Sequence, residues 1–105
     1  MKHLLFALTL TTACTSASST GITSSEITCD SSLTYASFGS DFMQTNCLSC
    51  HASKENPHLS TQSEVQANIS KILDQAVYTD AMPQDNSMAN ADRVKLGQWL
   101  SCGAL

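Results

Sequence analysis

The strongest chemistry in this sequence sits in one short stretch, Cys47-Leu48-Ser49-Cys50-His51. Two thiols one helical turn apart can add to the vinyl groups of a single haem, and the histidine that follows can ligate its iron. A bare CxxC could also be a redox dithiol or half of a zinc site. The adjoining His51, the single copy of the motif and the helical surroundings favour haem. No second cysteine and histidine cluster completes a zinc site. No strand and no βαβ pattern supports a thioredoxin-like dithiol enzyme, and there is no internal repeat.

A haem iron takes one or two axial ligands, and the sixth position largely decides what the iron does. Met82 is the best candidate: it lies in a loop well after His51, and Pro83 restrains the backbone behind it. Met88 is the alternative in the same loop. Met43 precedes the motif on the first helix and reads as core. Without the haem motif, Met82 would itself be read as a flexible core filler. His58 lies seven positions after His51 and reads as a solvated loop histidine rather than a second imidazole ligand. Tyr78 and Trp99 could reach a propionate, but packing is the first role of each. His51 needs an acceptor for its other ring N–H, and the Pro57 carbonyl is the candidate.

Three helices must position these groups. Tyr35, Phe38, Phe42 and Met43 recur at helical spacing from a Thr34 N-cap to about Cys47. Pro57 ends any continuation from His51. Thr61-Gln62-Ser63-Glu64 is a capping box, after which Val65, Ile69, Ile72, Leu73 and Ala76 mark one face. Residues 77–88 have no period and form a loop. A last helix from near Asn90 to about Ser101 carries Leu96, Trp99 and Leu100, and Gly103 suits its stop. Gly39 and Gly97 would let the first and last helices approach closely.

Residues 1–13 read as a secretory signal peptide: a basic start, the apolar run Leu4 to Leu10, then small residues. Cys14 resembles the acylated cysteine of a bacterial lipoprotein, with Thr11 where that motif usually has leucine. The alternative is plain cleavage and a soluble periplasmic protein. The Ser/Thr-rich stretch 14–28 reads as a tether, and 29–105 as the compact domain. With Cys14 assigned to lipid and Cys47 and Cys50 to haem, Cys29 and Cys102 remain as an even pair in an exported chain, expected to be a disulfide rather than two free thiols. The whole chain carries a net charge of −4, and loss of Lys2 with the leader takes it to about −5. Such a balance leaves no footprint for nucleic acid. It leaves a lipid anchor as the one membrane contact and points to a basic or neutral face on any partner.

Phe38-Gly39 and Phe42 leading into the CxxCH stretch, then Met82-Pro83, then Leu96, Trp99 and Leu100, resemble a small mono-haem class I cytochrome c. The likeness covers about Tyr35 to Leu105. Met82-Pro83 and the ending Trp99 to Ala104 are also similar to haem domains of exported bacterial proteins. The resemblance implies an all-α fold of three main helices around one covalent haem c, with His51 proximal and Met82 distal and the haem edge exposed. Asn56 departs from the glycine often found before the loop proline, and the Cys29 and Cys102 pair is not a general family feature. The expected function is single-electron transfer between redox partner proteins on the periplasmic side of a membrane. The alternative is a haem-based sensor or small-ligand-binding module with a labile sixth ligand. No acid and base pair beside a nucleophile and no phosphate loop points to an enzyme.

Overall fold

The computed structural model describes residues 17–105; the leader and Cys14 lie outside the described residues. The described chain is all-α, with short helices and no named strand. Three helical arms form as the sequence periods require, but two of them are broken. The first opens on Thr34, whose hydroxyl accepts from the Ser37 amide at 3.0 Å. A wide, π-type turn, Tyr35–Gly39, leads into α1, Ser40–Asn46, and a break at Cys47 leads on to α2, Leu48–His51. The second arm opens on the expected capping box, with Thr61 N–H donating to Glu64 Oε1 at 3.0 Å and Glu64 N–H donating to Thr61 Oγ1 at 3.2 Å. It contains α3, Gln62–Ala67, then α4, Ile69–Ile72, and a second wide turn, Leu73–Val77. The third arm is α5, Asn90–Ser101.

An asparagine side chain folds back onto its own helix at each of the two breaks. Asn46 Nδ2 donates to the Phe42 carbonyl at 3.0 Å, and Asn68 Nδ2 donates to the Glu64 carbonyl at 2.7 Å. Each amide bonds the carbonyl four residues back, and the backbone departs from helical angles at Cys47 and Asn68.

The core gathers Val65, Ile72, Ala76 and Val77 from the second arm and Leu96, Trp99 and Leu100 from α5, with Phe42 and Met43 from α1. Trp99 lies on Gly39. A Cβ at Gly39 would fall inside the indole, with Trp99 Cε2 2.7 Å away. The two glycines do not pair between the helices as their positions suggest: Gly97 faces Ile27 and Val77, not Gly39. One glycine admits a ring and the other admits aliphatic side chains, so each clears a different neighbour.

The tether reading of 14–28 fails from Ser18 onward. Thr20 N–H donates to Tyr78 O at 3.0 Å, Asp80 N–H to Ser18 O at 3.0 Å, and Thr20 Oγ1 to Val77 O at 2.7 Å. Ile22 and Ile27 then enter the core around a short turn, Ser24–Glu26. A Ser/Thr-rich segment cannot fold alone, but here residues 77–80 supply the backbone partners and two isoleucines anchor it.

Cys29 and Cys102 form a disulfide with Cα atoms 4.8 Å apart. At the same end, Leu105 O accepts from Tyr35 N–H at 2.6 Å and Trp99 Nε1 at 3.1 Å. No helix among the described residues is long and apolar enough to cross a membrane.

Two measurements check this packing. Gly39→Ala should lower stability by about 2 kcal/mol through overpacking, whereas Gly97→Ala, whose new methyl meets side-chain ends at 3.1 to 3.2 Å, should stay within about 1 kcal/mol of the parent in thermal unfolding. Replacing both Cys29 and Cys102 with serine reopens a 73-residue separation and should cost about 4 kcal/mol in denaturant titration.

Candidate functional site

A cleft of about 790 Å³ lies where the CxxCH turn meets the loop after the second arm. Cys47, Cys50 and His51 line it from the first arm, Pro57 and Leu59 from the following loop, Ile72 and Ala76 from the second arm, and Met82, Pro83 and Met88 from the loop before α5. The structure therefore brings both thiols, the imidazole and both loop methionines to one cavity. Met43 does not line it and is 1% exposed, in the core as its position predicts. His58 is exposed and outside the lining. Tyr78 and Trp99 are also outside it, and the Trp99 N–H is satisfied by Leu105, so packing accounts for that ring.

The His51 ring is fixed. Its Nδ1 lies 2.8 Å from the Pro57 carbonyl, the acceptor expected for it, and an N–H donated there leaves Nε2 as the available lone pair. Asn56 in place of a glycine does not prevent the contact. Two backbone bonds draw the same loop against the motif: Leu59 N–H donates to His51 O at 2.8 Å and Glu55 N–H to Cys50 O at 2.9 Å.

The two thiols differ. Cys50 is exposed, while Cys47 is half-buried at the helix break, and burial pushes its thiol up to about 11. Met82 is held at both backbone polar groups: its N–H donates to Gln75 O at 2.7 Å, and its carbonyl accepts from Arg93 Nη1 at 2.7 Å. Met88 is 5% exposed, and among the described residues no backbone bond outside the helices is made by its amide or carbonyl.

Among the described residues, no group of three or more His, Cys, Asp or Glu side chains is placed to hold a metal ion. The cleft carries carboxylates at Glu55, Asp74 and Asp85 against one cation, Lys71. Hydrogen bonds from the Ser87 hydroxyl and amide hold the Asp85 carboxyl below the usual carboxylate range, so it stays charged at neutral pH.

Arg93 is the residue that periodicity alone passes over. It is 1% exposed and reaches into the segment that carries Met82. Its sequence signal is its place three and seven positions before Leu96 and Leu100, on the buried face of α5. Comparison with known proteins adds nothing to this geometry: no family model, curated protein or solved structure matches the chain.

The buried thiol has a measurable consequence. In chain exported without haem attachment, iodoacetamide at pH 8 should label Cys50 first and Cys47 at least ~tenfold more slowly than an ordinary exposed thiol. Its smaller thiolate fraction is only partly offset by the greater nucleophilicity of a more basic thiolate. Peptide mass spectrometry over time reads both rates, and equal labelling would contradict the burial.

Proposed function

We propose that this chain is an exported, single-electron carrier of the c-type cytochrome class, with one haem attached at Cys47 and Cys50 and ligated by His51 and Met82. The observation that carries the reading is the fixed His51 ring in one cleft with both thiols and with Met82. The residues present fit such a group. The cleft lies within the size range of cofactor pockets, and Leu59, Ile72, Ala76, Pro83 and Met88 give it apolar lining for a flat ring. The soft thioether and the imidazole are the donors that suit a low-spin iron. In this reading the three helical arms form a small cytochrome c-like fold.

When bound, haem supplies an iron that exchanges one electron between its ferric and ferrous states. Cys47 and Cys50 would anchor it through thioether bonds, their thiols adding across its vinyl groups. The Pro57 carbonyl accepts the hydrogen bond donated by His51 Nδ1–H, which fixes the tautomer and raises the basicity of Nε2. Met82 sulfur favours the reduced state relative to a second imidazole. We assign Met82 rather than Met88 because its backbone is fastened on both sides. The apolar part of the lining would shield the faces of the ring from water and limit rearrangement on transfer. The carboxylates of the cleft suit a protein redox partner with a basic or neutral docking face, and neither they nor the net charge suit nucleic acid. Residues 1–13 would export the chain, either to a lipid anchor at Cys14 or to the soluble periplasm, and the disulfide suits an oxidising compartment.

The test is the visible spectrum, oxidised and reduced, of chain exported in a host equipped for c-haem attachment. A covalent low-spin haem is expected, with a far-red methionine-to-iron band that Met82→Ala abolishes and Met88→Ala retains. Replacing Cys47 and Cys50 together with serine should leave no haem bound under denaturing conditions. A high-spin spectrum in the unmutated protein would favour a sensor with a labile sixth ligand, and no haem at all would overturn the reading.

A further inference from the structure

Arg93 stands out because local helix energetics do not explain it. It lies near the N-terminus of α5, where the helix dipole disfavours a cation, and it is 1% exposed. No ion pair is found for it among the described residues. Its partners are neutral oxygens of one segment. Nη1 donates to Ala76 O at 2.7 Å and Met82 O at 2.7 Å, with Thr79 O at 3.4 Å, and Nη2 donates to Asn86 Oδ1 at 3.2 Å.

These contacts span the chain from the end of the second arm to the turn beyond Pro83. Among the described residues, no backbone amide bonds to the carbonyls of Thr79 or Met82. Asn86, which closes that turn with its N–H on Pro83 O at 2.9 Å, has a left-handed φ of 53° that asparagine tolerates. A planar guanidinium with several donors at fixed angles can reach Ala76, Met82 and Asn86 together; a lysine ammonium is a point donor on a flexible stem.

We propose that Arg93 is the positioning residue for the Met82 loop: its guanidinium sets where the sulfur-bearing residue stands at the cleft. The proposal rests on the carrier reading for its consequence at the iron, but the fastening itself is independent of that reading. Arg93 touches no reacting atom. It acts through the carbonyl of Met82 and the side chain of Asn86.

The experiment compares the parent protein, as isolated from the export host, with Arg93→Lys and Arg93→Met. The first readout is amide exchange at Met82, bonded to Gln75 O, and at Asn86, bonded to Pro83 O. Both should exchange at least ~tenfold faster in the variants, while the amides of Leu59 and His51, on the other lining of the cleft, keep parental rates. The second readout is displacement of the sixth ligand by imidazole in haem-loaded protein. Arg93→Lys, which keeps charge and length, should require at least ~tenfold less imidazole and should shift the reduction potential, changes that a residue serving stability alone would not produce.

Where Arg93→Met unfolds the chain, Arg93→Lys decides by the same two amides. Unchanged exchange at Met82 and Asn86, or a uniform rise across all protected amides of Arg93→Lys, would overturn the proposal. So would selective loop exchange with unchanged imidazole displacement in haem-loaded protein. Absence of haem from the parent would instead remove the carrier reading, and the exchange data would still establish or refute the fastening.

Discussion

The seat of Trp99 on Gly39 is the contact on which the rest of the molecule depends. It joins the first arm to α5 at a point where no side chain intervenes, so the indole lies directly on the backbone. Tyr35 stacks at 6.3 Å and Phe38 meets the ring edge-on at 5.9 Å between centroids, which completes an aromatic cluster. The indole N–H and the Tyr35 amide both end on Leu105 O, and the disulfide closes the same end of the domain. Gly39 runs without a connecting loop into α1 and α2. The start of the arm that carries Cys47, Cys50 and His51 is thus placed by a contact at its far end, and the break at Cys47 re-aims α2 from there.

The Met82 side of the cleft has no such helix to rely on. Residues 78–89 lie outside the named helices, and their backbone groups must be satisfied individually. The chain solves this with fasteners from two sides. The strap at 18–20 pairs with residues 77–80, and Arg93 reaches the carbonyls of Ala76 and Met82. Burying an unpaired cation carries a desolvation penalty of several kcal/mol, offset only when its donors are well met. Here no buried side-chain polar atom is left without a partner among the described residues.

Local signals in the sequence were legible and remote ones were not. Thr34, the Thr61 and Glu64 box, and the start and stop of α5 depend on groups within four residues, and each is found where its pattern puts it. The His51 to Pro57 contact spans six residues and was accessible from ligand chemistry alone. The Cys29 and Cys102 bond spans 73, yet cysteine arithmetic reaches it because few pairings were left. Ile22, Ile27 and the partner of Gly97 had no such guide. Two isoleucines in a Ser/Thr-rich stretch have no period, and the groups they meet come from residues far along the chain. The gathering of Cys47, Cys50, His51 and Met82 in one cleft follows the spacing, whereas the agent holding Met82 does not, because an arginine on a buried helix face has no motif.

The same asymmetry bears on how a carrier of this size would work. Electron transfer is efficient when neither axial ligand moves on a change of oxidation state. As a ligand, His51 would meet that condition through a short-range bond, Nδ1 to Pro57 O at 2.8 Å, within a loop drawn onto α2 by two backbone hydrogen bonds. Met82 cannot meet it locally, since its loop has no helix to brace it. Its position depends instead on α5, through Arg93, and on the second arm, through Gln75. Because α5 also carries Trp99, the two sides of the cleft are referenced to one helix: through Trp99 and Gly39 for the CxxCH arm, and through Arg93 for the methionine loop. A displacement of α5 would therefore carry both the CxxCH arm and the methionine loop with it. The spacing between them is better protected than either position would be alone, and that spacing is what a low-spin iron with two protein ligands requires.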